Sequence, residues 1–290
     1  MRARPADVAA SIRDRLRRHA SATGVDFQRV LDQYAVERLL YRLTRSPHAD
    51  TFVLKGALLF SAWDGGPHRR TRDADLLGYG DPSVRRISEV FPEVAATVPD
   101  VDDGLIFEAA AVRVVPVRED EEYAGLRVTL RARLAGARAN LQIDVAFGQA
   151  VVPEPQVVEL PVLLDLARPR LRGYPVESVV AEKFEAIVRF GLRNGRLKDY
   201  YDLWRIFSQY PPGSRMLARS VAATFARRGT ALPADVPPGL SDGYADADRR
   251  RQWVAFLERT AAAERPELGE VIATVRSGIM PIVVRARSHA

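Results

Sequence analysis

The sequence predicts an α+β protein: a small mixed sheet with flanking helices, followed by a helical carboxy-terminal domain. Three observations carry this expectation. Apolar residues recur at helical spacing from Val8 to Leu43. Alternating apolar and polar residues mark half-buried strands through the middle of the chain. Helical periodicity then returns from Val179 onward. A length of 290 residues suits one large domain or two modest ones. We divide it into amino-terminal helices over 1–50, a core over 51–160, and a helical domain over 161–290.

Taken in order, Val8, Ile12 and Leu16 step along a first helix that Gly24 interrupts. Asp26 is placed to cap a second, carrying Phe27, Val30, Leu31, Tyr34, Leu39, Leu40 and Leu43. The outer face of the first holds Arg13, Arg15, Arg17 and Arg18, which suits solvent or a phosphate-bearing partner. Thr51–Leu54 reads as a short strand, followed by Lys55-Gly56 and an apolar helix from Ala57 to Trp63. A polar loop, 64–70, leads to Asp73-Ala74-Asp75-Leu76-Leu77 at the opening of another strand. Asp81-Pro82 then reads as the start of a helix through Val84, Ile87 and Phe91. Strands are expected at Leu105–Phe107, Val112–Val117 and from Leu126 to Leu134. A turn over Ala135–Asn140 and a returning strand from Leu141 to Phe147 follow, the latter with Asp144 on its polar side. After a proline-punctuated stretch, helices are expected at Val179–Phe190, Lys198–Gln209, Ser214–Arg228, Arg249–Glu264 and Glu267–Ser277, with a loop or linker over Thr230–Asp248.

Composition narrows the chemistry. There are 43 Lys+Arg against 37 Asp+Glu, a formal charge of +6. The absence of cysteine excludes disulfides, thiolate metal sites and cysteine nucleophiles, and fits a reducing cytoplasm. The four histidines, His19, His48, His68 and His289, have no metal-ligand spacing, so a catalytic metal would need carboxylates. No apolar run approaches the roughly 18 residues that span a bilayer. The arginine-rich segment Met1–Ala20 has no apolar core of a leader, so neither membrane insertion nor secretion is expected.

Only three of the 43 basic residues are lysines: Lys55, Lys183 and Lys198. Each falls where a phosphate site could be built. Lys55-Gly56 joins a strand to a helix, where a backbone can approach an anion and the helix start offers N–H groups; taken alone, the same residues read first as a plain structural turn. Asp73 and Asp75, two apart on a strand, project to one face and can share a divalent cation such as Mg²⁺. Asp144 adds a third carboxylate if its strand lies beside theirs, and is otherwise an ordinary solvent-facing acid. Lys183 shares a helix face with Val179 and Ile187, which packs its stem and delivers the ammonium to a defined point; a lysine on such a face more often only snorkels to solvent. Asp199 follows Lys198 at a helix start and could be a cap, and Asp202 could simply be solvated.

The ordered set F-V-L-K-G-A-L-L-F, R-R-T-R-D-A-D-L-L-G, L-Q-I-D-V-A-F-G, A-E-K-F-E-A-I and R-L-K-D-Y-Y-D-L-W resembles the AbiEii/MenT nucleotidyltransferase toxins of type IV toxin–antitoxin systems, within the polymerase-β-like superfamily. The likeness covers roughly Thr51 to Phe207. Ala57 stands where the family often has a second glycine. The resemblance implies a polymerase-β-like nucleotidyltransferase core. Lys55, Gly56 and the following helix then face nucleotide phosphates, with Lys198 nearby. Asp73 and Asp75 resemble the Mg²⁺ ligands and Asp144 the superfamily's third acid. Lys183 is similar to the lysine that holds the triphosphate, and Asp199 to the acid of the last motif. Thr71 matches a hydroxyl that some antitoxins phosphorylate, which would add about two negative charges at the metal site.

The implied reaction is Mg²⁺-dependent transfer of NMP from an NTP to an acceptor, in family members the 3′ end of tRNA, which blocks translation. An arginine-rich chain suits an RNA acceptor. A cognate antitoxin is the implied partner. The alternatives are transfer onto protein hydroxyls, a metal-dependent phosphodiesterase or nuclease on the same acids, and a non-catalytic binding module.

Overall fold

The fold is described from a computed structural model over residues 5–64, 73–118, 124–149, 151–209, 211 and 213–288. Thr71 and most of the loop 64–70 lie outside these residues. The described chain divides into two compact units, one holding residues 5–64, 73–148 and Val157–Gly173, the other Gln149–Gln156 and residues 174–288.

The first unit is built on helices α1 (Pro5–Thr23) and α2 (Phe27–Arg45) and a mixed eight-stranded sheet. Its strands are β1 (Phe52–Lys55), β2 (Ala74–Gly78), β3 (Ile106–Phe107), β4 (Arg113–Arg118), β5 (Ala124–Leu134), β6 (Ala137–Phe147), β7 (Gln156–Glu159) and β8 (Arg170–Gly173). The order across the sheet is β3-β5-β6-β2-β1-β8-β7, with β4 also paired to β5. β2 lies between β1, antiparallel to it, and β6, parallel to it. The strand-rich middle of the sequence is therefore one sheet with the segments on either side of it.

Alternation decides which face is the core. Leu126, Val128, Leu130, Ala132 and Leu134 of β5 and Ala139, Leu141, Ile143 and Val145 of β6 are at most 5% exposed. The intervening residues face the opposite side. Helix α2 lies against β6 and is buried around nearly its whole circumference, charged residues included. Arg42 and Asp103 form a buried bidentate pair, 2.6 and 2.9 Å. Arg38 donates to the Ala167 carbonyl, and Glu37 accepts from the Leu163 amide and the Gln33 side chain. These contacts satisfy polar groups that burial would otherwise leave costly. Asp26 caps α2 through the Arg29 amide, as its position predicts.

Several boundaries differ from expectation for identifiable reasons. The β5–β6 turn is only Ala135-Gly136, not Ala135–Asn140: both residues have positive φ, 45° and 82°, the geometry of a two-residue hairpin. Helix α3 is Leu58–Asp64. Helix α4 (Val84–Ala96) is capped by Ser83, whose hydroxyl accepts from the Arg86 amide, and not by Asp81. Asp81 instead accepts from the Ser83 amide and hydroxyl, closing a local turn ahead of the helix.

The second unit holds α5 (Val176–Phe190), α6 (Leu197–Gln209), α7 (Ser214–Arg227), α8 (Ala247–Thr260) and α9 (Leu268–Arg287). Gly191 ends α5 at φ 51°, as its place in the sequence suggests. Gly213, and not Ser214, is the cap residue of α7. Thr230–Asp248 is not a linker: Leu240 and Tyr244 are buried, and Tyr244 stacks on Tyr200 at 4.6 Å. Helix α9 does not stop at Ser277. Gly278 lets it approach the Phe207 ring, and buried Ile279, Ile282, Val283 and Ala286 continue its apolar face past Pro281.

Candidate active site

A row of charge crosses the polar face of the sheet. Register sets Lys55 opposite Asp75, Asp75 beside Asp144, and Asp144 opposite Arg127. Residues paired in this way point to the same face, so four strands present cation, acid, acid, cation in sequence. Arg127 closes the row with a bidentate pair to Asp144, 2.8 and 2.9 Å, and Gln142 adds a longer contact of 3.4 Å. The two adjacent acids thus have basic groups on both flanks, which offsets their mutual repulsion.

Gly56 is what lets the row close up. Its φ is +73°, and a Cβ there would collide with the Asp75 carboxylate. A positive φ and lack of space both select glycine here. The helix start that follows offers an anion less than expected, because the Leu59 and Phe60 amides already bond the Gly56 and Ala57 carbonyls. α3 is also only seven residues long.

Asp73 immediately precedes β2 and is partly exposed, as is Asp75. With Ala74 buried between them, the two carboxylates share the polar face. Two partly exposed carboxylates on one face fit a small hard cation that completes its shell with water or phosphate oxygens. The Arg127 clasp on Asp144 bears on any third ligand. Among the described residues no group of three or more acids or histidines is arranged to hold a metal ion.

The second unit contains the other cluster. The Lys183 ammonium, on α5, lies 2.7 Å from Asp199 and 2.9 Å from Asp202, both on α6. Both acids are essentially buried, and the lysine is 12% exposed. Arg196 donates to the second Asp199 oxygen at 2.7 Å. Burial by itself would raise the Asp199 carboxyl, but Lys183 and then Arg196 hold it down at about 2. Asp202 is therefore not solvated, as the sequence alone allowed, but half of a two-carboxylate clasp on one ammonium. Lys198, one residue from Asp199, has an exposed side chain.

The first unit thus brings together Lys55, Gly56, Asp75 and Asp144, with Asp73 on the same face. The second brings together Lys183 and Asp199. Arg127, Arg196 and Asp202 were not anticipated. Asp202 and Arg196 stand three residues either side of Asp199, the spacing that shares a helix face. Arg127 would have been found by centring the hairpin turn on Ala135-Gly136, which places it opposite Asp144.

Known proteins resemble the chain in family and in fold. The family model described as nucleotidyl transferase AbiEii toxin, type IV TA system, matches residues 38–274. No curated protein matches the chain. Among solved structures, JHP933 from Helicobacter pylori is similar at a TM-score of 0.52 and 14% identity, over 91% of this chain and 95% of that one. A candidate nucleotidyltransferase from H. pylori is similar at 0.51 and 14%, over 92% and 99%. At that identity the likeness is one of fold.

Proposed function

Because this chain belongs to the AbiEii family of nucleotidyltransferase toxins of type IV toxin–antitoxin systems, we propose that it carries out Mg²⁺-dependent transfer of NMP from an NTP to an RNA acceptor, the 3′ end of tRNA, and so blocks translation. Nucleotidyl transfer, a nucleotide substrate and a cognate antitoxin follow from the family itself. The metal, the acceptor and the residue roles are our reading.

One observation carries that reading: the charge row Lys55–Asp75–Asp144–Arg127, with Asp73 at its side. A sheet face that gathers carboxylates between two basic side chains suits a reaction in which negative charge must be held and moved. Bound at Asp73 and Asp75, Mg²⁺ would supply neutralisation of phosphate charge. Lys55 offers a cation to phosphate oxygens at the β1 end of the row. Gly56 keeps the backbone out of the space that Asp75 needs. Arg127 fixes Asp144 and tempers the charge beside the pair. Lys183 is oriented by Asp199 and Asp202 and is assigned to the triphosphate, as in the family motif. Lys198, exposed beside Asp199, is left a supporting role in phosphate attraction.

In the transfer itself the acceptor hydroxyl gives its proton to water as its oxygen bonds to the α-phosphorus, the bond from that phosphorus to the oxygen bridging to the β-phosphate breaks, and pyrophosphate leaves. Positioning and charge do most of the work. Thr71 lies two residues before Asp73. Its phosphorylation by an antitoxin would add negative charge at the acids and silence the enzyme.

The test is incubation with each α-labelled NTP, Mg²⁺ and total RNA, alongside the Asp73→Ala variant. Label on tRNA that vanishes with the substitution is expected. Label on protein, shortening of RNA without NTP, or no label from any NTP would each overturn the proposal in a different direction.

A further inference from the structure

The β5–β6 hairpin does not stop at the acids. The first register pair between β2 and β6 is Ala74 with Ile143, whereas β6 begins at Ala137. The hairpin therefore projects past the β2 pairing and Asp73, with β3 paired to β5 there and its apolar face buried. On its β2-facing edge, Asp32 of α2 accepts from the Asn140 amide and Gln28 donates to the Arg138 carbonyl, so helix side chains satisfy the backbone there.

The polar face of this projection is basic. Alternation puts Thr129, Arg131 and Arg133 of β5 on the side of Arg127, and Arg138, Asn140 and Gln142 of β6 on the side of Asp144. Arg113 of β4 stands opposite Thr129 and joins the same face. Arg133 is occupied by Glu108 at 2.9 Å. Arg113, Arg131 and Arg138 are exposed and have no acidic partner among the described residues. An open cleft of about 800 Å³ occupies this face, lined by Asp73, Arg113, Thr129, Arg131, Asn140 and Gln142, among others. It begins at one of the proposed cation ligands and runs away from Lys55 and Gly56, toward β4.

We propose that this cleft seats the acceptor: single-stranded RNA whose phosphates lie along Arg113 and Arg131 and whose terminal nucleotide reaches Asp73. The assignment rests on the function proposed above, and it separates an RNA acceptor from a protein one. Forked guanidinium groups match phosphate oxygens. The amides of Asn140 and Gln142 and the Thr129 hydroxyl supply donors and acceptors that ribose hydroxyls and unpaired base edges can use. With the triphosphate assigned to the Lys55 side of the acids, the arginine side is left for the other substrate. An acidic peptide would satisfy the charge but leave the amide and hydroxyl groups unused.

The experiment measures binding of a 5′-fluorescent single-stranded RNA to the full chain by anisotropy across a KCl series. Wild type is compared with Arg113→Gln/Arg131→Gln, and with Arg215→Gln/Arg219→Gln, which removes equal charge from exposed positions on α7. For the first pair we expect about tenfold weaker binding at moderate salt and a salt slope smaller by roughly 1.4, some 0.7 for each phosphate no longer neutralised. NTP affinity, read by calorimetry, should be unchanged. In the labelling assay KM for RNA should rise with kcat nearly constant. The proposal is overturned if both pairs weaken binding equally, if neither does, if wild type does not bind RNA, or if binding of a polyglutamate peptide falls as much as that of RNA. Absence of NMP transfer by wild type would sink the proposed function while the binding arm still decides the cleft.

Discussion

Asp73 and Asp144 are both carboxylates on one sheet face, yet their surroundings give them different work. Asp144 spends both oxygens on Arg127, whereas Asp73 opens onto the cleft. Asp73→Asn should therefore cut NMP transfer by about a hundredfold or more, the scale of losing a preorganised electrostatic group. Asp144→Asn keeps size and one hydrogen bond to Arg127, and should cost about tenfold or less. Mn²⁺ affinity, measured separately, should fall for Asp73→Asn and change little for Asp144→Asn. Equal losses of metal in both variants would show that Asp144 is a ligand despite its arginine. Thr71 is next to this region in sequence, and its role rests on the motif alone.

Between α5 and α6 the decisive contact is the ammonium of Lys183 held by two buried acids. Lys183→Met would leave Asp199 with Arg196 but strip Asp202 of this cation. Removing one partner of a buried ion pair typically costs about 3–5 kcal/mol, so the thermal midpoint of the chain should drop by several degrees. Adding Asp202→Asn should recover part of the stability but no transfer activity, which separates the structural part of the clasp from its phosphate role. Recovery of both together would argue that Lys183 is structural only. α6 also packs against α9, at Gly278. A Cβ there would meet the Phe207 ring, so Gly278→Ala should destabilise by about 1–3 kcal/mol, the usual cost of overpacking, without altering metal binding.

Two buried carboxyls set how the stability of the whole chain answers to pH, in opposite senses. Burial raises Glu37 from 4.5 to about 7, against the hydrogen bonds from Leu163 and Gln33. Its contribution is fully present below about 4.5 and is lost as pH rises through about 7. Asp199, held at about 2, contributes above its ordinary value of 3.8 and loses that contribution only as pH falls toward 2. Glu37→Gln should thus flatten the fall in thermal midpoint between about pH 5 and pH 7 and raise stability above neutrality, while leaving acid unfolding unchanged. A pH profile identical to wild type would place the titrating group elsewhere.

The sequence by itself determined the elements whose causes are local. Asp26 at the head of α2, Gly191 at the end of α5 and the alternation along β5 and β6 were all readable, because caps, left-handed turns and period-two burial act over a few residues. So were the acids Asp73, Asp75 and Asp144 and the sparse lysines, as residue types at telling positions. Tertiary structure decided what depends on register and on distant neighbours. Pairing in the sheet put Arg127 against Asp144, packing of α6 on α5 turned Asp202 from a surface acid into a buried ligand of Lys183, and Phe207 carried α9 past Gly278. Each of these rests on an approach between segments far apart along the chain. Its energy comes from desolvation and direct pairing at close range, and a linear pattern of residue types holds no record of which distant groups meet.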